Sequence, residues 1–137
     1  MSRPKSREAA IKIVYQNGFL ESDLQKVLDT YYMACEEDEL KNLEKEFIKD
    51  IVFGVNEHMS ELDALINEFS KEWTLDRMSR VDIAVLRVAI YEMLYRPDIH
   101  PSVSINEAVE FAKKYSYEDA GSFVNGILGG IYSAKCC

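Results

Sequence analysis

Cysteine is scarce in this sequence, three in 137 residues, and Cys35, Cys136 and Cys137 match no CxxC pair or Cys/His zinc spacing. That excludes a disulfide framework and a structural zinc site, and the thiols are expected to be reduced. Histidine is scarcer still. His58 and His100 have no Cys, Asp or second His at ligand spacing on a shared helix, so both are expected at the surface or in loops. No apolar run approaches the roughly 18 residues of a membrane span. The start MSRPKSREAA lacks the apolar segment of a signal peptide, so the chain is expected to be soluble and cytoplasmic, with no membrane partner. Catalytic signatures are missing too. GILGG (Gly126–Gly130) is not followed by Lys-Ser or Lys-Thr, no Ser or Cys has a readable base, and the acids of CEEDEL (Cys35–Leu40) read as a solvated loop. Neither an enzyme nor a cofactor is expected.

Period-two alternation is also absent over any length that would make a strand, and there is no internal repeat or low-complexity segment. The periodicity present is helical. Leu24, Val27, Leu28, Tyr31 and Cys35 step by three and four, and so do Leu40, Leu43, Phe47, Ile51 and Val55, and Leu62, Leu65, Ile66, Phe69 and Trp73. Helix starts are signposted by Ser22, by Ser60 and Ser79 in acidic variants of the capping box, and by Ser104 with Glu107 in its full form. A first helix begins near Pro4 and ends at Gly18. Pro97 stops an apolar helix from about Val81 to Tyr95, RPDIHPSV (Arg96–Val103) is a loop, and a last helix starts near Asp119. One domain of this length buries about two thirds of its unfolded surface. The most natural division falls near Thr74–Met78.

SFVNGILGGIY (Ser122–Tyr132) contains Asn-Gly, a hairpin signal, inside an apolar run. Phe123, Val124, Ile127, Leu128 and Ile131 nevertheless form one helical face, which a strand would split. Gly126 and Gly129 then share an edge, open either to tight helix packing or to a binding surface that includes Asn125.

The net charge of −8 is unevenly spread: residues 1–20 carry four basic groups and one acid, residues 21–76 five and sixteen, and residues 77–137 seven of each. The acid is confined to the middle, leaving two places where a phosphate could approach.

RVDIAVLRVAIYEML (Arg80–Leu94), SINEAVEFAKKY (Ser104–Tyr115), and Glu118-Asp119 leading into FVNGIL (Phe123–Leu128) together resemble the C-terminal signature of the NusB family of bacterial antitermination factors. Leu86, Arg87, Ala89, Tyr91, Glu92, Asn106, Glu107, Ala108, Ala112, Lys113, Phe123, Val124, Asn125 and Gly126 carry the likeness, and SREAAIKIVYQ (Ser6–Gln16) is similar to that family's first helix. The resemblance implies an all-α fold, two small helical bundles of about seven helices packed as one domain, with halves near 1–75 and 76–137. It implies a non-catalytic protein that binds boxA-type single-stranded RNA of ribosomal RNA leader transcripts. The implied partners are the small-subunit ribosomal protein NusE and the RNA polymerase antitermination complex. A helical interaction module or homodimer with little RNA binding, and an accessory domain for RNA modification, are the alternatives.

Single-stranded RNA is held by positive charge along its backbone and by flat groups on which bases stack. By motif, Arg3, Lys5 and Arg7 take the places of the family's arginine-rich arm, a flexible start expected to order on RNA, with Pro4 interrupting the basic run. Tyr15 falls either in the core or near the junction of RNA and partner. Asp119, Phe123 and Asn125 complete the RNA surface on the last helix, where Asp119 can cap the helix or accept from a base amino group. Asp76 matches a position facing the nucleic acid. Asp82 matches an acid that meets the basic partner, with Tyr15 and Phe19 adding apolar contact; it equally suits the helix dipole. The basic arm and the glycine-rich last helix are expected to lie side by side.

Overall fold

The structure, a computed structural model, describes residues 1–17, 23–70 and 77–136. Gly18, Phe19, Ser22, Trp73, Asp76 and Cys137, all invoked above, lie outside them.

Eight α-helices follow one another among the described residues: α1 (Arg3–Asn17), α2 (Leu24–Ala34), α3 (Glu37–Lys41), α4 (Lys45–Glu57), α5 (Met59–Ser70), α6 (Arg80–Tyr95), α7 (Pro101–Tyr115) and α8 (Ala120–Ile131), with a π-helical turn at Tyr132–Cys136. The fold is all-α. The organising element is α6, whose residues from Ala84 to Met93 are all buried. A helix buried on every side must be surrounded, and α6 packs against α1, α4, α5, α7 and α8, so the two bundles share one buried cluster. Its start is fixed by Ser79, whose hydroxyl accepts from the Asp82 amide at 3.1 Å.

Several local expectations give way to longer-range demands. Ser60 begins no helix; α4 and α5 are separated only by His58, and Ser60 lies in the first turn of α5. His58 stacks on Tyr95 with ring centroids 4.2 Å apart. The stripe from Leu40 to Val55 is broken between Lys41 and Lys45, and the acids after Cys35 form the short helix α3, in which Glu39 reaches back to the Glu36 amide at 3.2 Å. Ser104 is no cap either. His100 caps α7, its Nδ1 accepting from the Ser102 amide at 3.1 Å with Pro101 in the first turn, so the loop is shorter than RPDIHPSV. The Ser104 hydroxyl, fully buried, donates instead to Glu92 at 2.8 Å.

The glycines also divide differently than expected. A β-carbon at Gly126 or Gly129 would meet nothing within 4 Å, and Gly126 is exposed, so the tight crossing is not there. The close approaches are at Gly130 and Gly121, where a β-carbon would stand 3.0 Å from the Phe69 ring and 2.9 Å from the Lys113 stem, and at Gly54, where it would overlap Tyr91.

Candidate nucleic-acid interface

The inward face of α1 is Ser6, Arg7, Ala9, Ala10, Ile11, Ile13 and Val14, all buried, which leaves Lys5, Tyr15 and Gln16 projecting outward, with Lys12 half-buried. The N-terminal arm is not a loose cationic strand. The Ser2 amide donates to the Asn42 carbonyl at 2.7 Å, and the Ser6 hydroxyl accepts from the Glu44 amide at 2.8 Å. Arg3 grips Glu44 through Nε and Nη2 at 2.9 and 3.0 Å and stands 4.3 Å from the Phe47 ring centre. That pairing holds the Glu44 carboxyl below the usual carboxylate range. Of the three arm cations, Lys5 alone is exposed without an ion pair among the described residues.

Arg7 is the larger correction. It is 3 % exposed, its Nε bonds Glu92 Oε2 at 2.6 Å, and its Nη1 reaches Glu107 Oε1 at 3.3 Å. The guanidinium is enclosed between α1, α6 and α7, its charge met by two carboxylates. Asp82 is likewise fully buried, and among the described residues neither carboxylate oxygen has a hydrogen-bond partner. Burial raises its pKa, partly offset by the hydroxyls of Ser116, Ser79 and Tyr117 facing it.

This raised pKa has a checkable sign. A carboxyl that binds its proton more tightly when folded favours the fold at low pH and opposes it once ionised. Asp82→Asn is therefore expected to raise the melting temperature at pH 7, with the gain shrinking as pH falls through the folded pKa toward the unfolded 3.8. Thermal melts from pH 3 to pH 8 read this directly; a loss of stability at pH 7 would show that the charge is needed.

The arm and the start of α8 lie toward opposite ends of α6. Arg3 shares the Phe47 ring with Arg96, at the C-terminal end of α6, whereas Asp119 acts on Tyr117, which faces Asp82 at the start of α6. From Asp82 to Arg96 a helix rises about 21 Å. The far end of α1 lies beside α7, which in turn packs on α8. Arg80 stands 5.5 Å from the Tyr15 ring, Lys12 and Lys114 stand 5.4 and 5.0 Å from the Tyr115 ring, and Lys113 lies against Gly121. Tyr15, Tyr115 and Tyr117 are 41, 41 and 52 % exposed. Asp119 and Asn125 are exposed and Phe123 is half-buried on α8, with no capping bond from the Asp119 side chain. The interleaving of cation and tyrosine in KKYSY (Lys113–Tyr117) was the signal available in the sequence for this second basic face.

Among the described residues, no group of three or more His, Cys, Asp and Glu side chains could hold a metal ion. Nor, among the described residues, is any helix long and apolar enough to cross a membrane.

The model of the NusB family matches residues 4–133. The transcription antitermination protein NusB of Ruminiclostridium cellulolyticum is 47% identical over 131 residues, covering 96% of this chain and 88% of the relative. That of Acetivibrio thermocellus is 45% identical, covering 98% and 91%. Among solved structures, T. maritima NusB superposes with a TM-score of 0.83 at 36% identity, over 97% of this chain and 92% of that one. A complex of the antitermination factors NusB and NusE with dsRNA contains a chain that superposes at 0.77, 26% identical, over 96% of both chains. With a helical core built around α6, and a match of this length and identity, the chain belongs to the NusB family.

Proposed function

We propose that this chain is a non-catalytic transcription antitermination factor that works in the cytoplasm, binding boxA-type RNA of ribosomal RNA leader transcripts jointly with the ribosomal protein NusE. The observation that carries this reading is the end-to-end likeness to the NusB chain crystallised with NusE and dsRNA. Tyr15, Asp119, Phe123 and Asn125 supply the RNA surface, together with Lys5 from the arm. Tyr15 also borders the partner. Glu36, Glu37, Asp38 and Glu39 at α3 are exposed, and this acidic face speeds encounter with a cationic ribosomal protein.

The charge arrangement predicts modest binding in isolation. With about three to five phosphate contacts, log K falls with log salt at a slope near 0.7 per contact for a single strand. Titrating labelled boxA RNA at two salt concentrations, with and without NusE, is expected to show weak, salt-sensitive binding alone and clearly tighter binding with the partner. Equal affinity in both cases would argue against joint recognition.

A further inference from the structure

We propose that the principal RNA contact of this chain is the cation–tyrosine cluster where α1, α6 and α7 meet: bases stack on Tyr115 and Tyr15 while Lys12, Arg80 and Lys114 meet the phosphates. This rests on the RNA-binding reading above and adds where the strand lies.

Three features single the cluster out. First, its cations are the ones available. The arm arginines each own a close carboxylate, Arg3 with Glu44 at 2.9 Å and Arg7 with Glu92 at 2.6 Å, the latter buried. Lys12 and Lys114 instead share the single carboxylate of Glu8, at 3.5 and 3.6 Å, and Arg80 has none within reach among the described residues. Two lysines on one acid leave net positive charge, and exposed pairs at that distance yield readily to a phosphate. Second, Tyr115 is positioned as a platform. Tyr115 rests on the buried Phe111 ring, with centroids 4.6 Å apart, which fixes its orientation while 41 % of the residue stays exposed. Third, positive groups already lie within 5.5 Å of the rings, Lys12 and Lys114 at Tyr115 and Arg80 at Tyr15, which strengthens stacking of a base and brings charge to its attached phosphate. The cluster borders the start of α8 through Lys113 against Gly121, so Asp119 and Asn125 lie along the same path.

The test uses the full chain with NusE and a labelled single-stranded boxA RNA, followed by fluorescence anisotropy at several salt concentrations. Tyr115→Ala is expected to weaken binding about tenfold with an unchanged salt slope. Tyr115→Phe keeps the affinity. Arg80→Ala with Lys114→Ala is expected to lower the salt slope by about 1.4, two single-strand phosphate contacts. Arg3→Ala with Lys5→Ala costs less than that pair, and Lys41→Ala on the acidic face changes nothing. All of these side chains are at least partly exposed, and melting temperatures verify folding. If the unmodified chain binds but the Tyr115 and Arg80/Lys114 variants match it, or the Arg3/Lys5 pair costs more, the placement is overturned. If the unmodified chain binds no RNA with NusE present, the functional reading itself falls.

Discussion

Replacing Arg7 by alanine is expected to destabilise the fold by about 3–5 kcal/mol, the cost of leaving a buried charge without its partner. At about 3 °C per kcal/mol for a chain of this size, the melting temperature falls by roughly 10 °C or more. Glu92 is fully buried and, among the described residues, accepts from two groups, Arg7 Nε at 2.6 Å and the Ser104 hydroxyl at 2.8 Å. Without the guanidinium, one hydroxyl is left to compensate a carboxylate inside the α1–α6–α7 junction. The effect is a property of the pair. Arg7→Met combined with Glu92→Gln is expected to cost less than the two single changes added together, because the double variant leaves no uncompensated charge. Chemical denaturation of the four proteins measures the coupling. The same experiment separates the internal role from a ligand-binding one: RNA affinity of the folded Arg7→Ala fraction should be close to that of the parent. A variant that melts normally but no longer binds RNA would restore Arg7 to the interface.

Gly54 and Gly126 are expected to respond to alanine with opposite signs. Both lie inside helices, where alanine gains up to about 1 kcal/mol in intrinsic propensity. At Gly126 the new methyl group enters open space, so Gly126→Ala should stabilise by about 0.5–1 kcal/mol. At Gly54 it would overlap the ring of Tyr91. That ring cannot simply turn aside: Tyr91 is 6 % exposed, its hydroxyl donates to Asp50 at 2.9 Å, and it stacks on Tyr95 with centroids 5.3 Å apart. Burial, with the bond to Asp50, pushes the Tyr91 phenol up to about 12, so it remains a donor throughout the physiological range. Shifting the ring would strain this contact and the bond from Arg96 to the same carboxylate at 3.0 Å. Gly54→Ala is therefore expected to destabilise by about 1–3 kcal/mol net of propensity. Parallel thermal melts decide the matter, and two shifts of the same sign would contradict the packing described for α4 and α6.

Much of the fold can be read from local pattern. The stop before Pro97, the cap at Ser79 and the start of α8 after Asp119 all stand where short-range chemistry places them. The helical reading of SFVNGILGGIY also follows from its spacing, because Val124, Ile127, Leu128 and Ile131 must share one buried face. The expectations that failed did so for a common reason. Ser104 with Glu107 has the spacing of a capping box, but a buried Glu92 needed a donor and the hydroxyl went there. Gly126 looked like a packing notch, and nothing in the residue itself records that its side of α8 faces solvent.

The candidate interface was legible as residue types and not as a place. KKYSY announces cations and rings, but its neighbourhood with Tyr15 and Arg80 depends on α1 and α6 being laid against α7.

By itself the sequence determined the helices, their apolar faces and membership of the NusB family, because each rests on residues a few positions apart, or on residue identities in a fixed order. Only the tertiary structure decided which charges are free. An ion pair acts over less than about 4 Å, yet the carboxylates that claim Arg3 and Arg7 lie 41, 85 and 100 positions away along the chain, a separation no local pattern encodes.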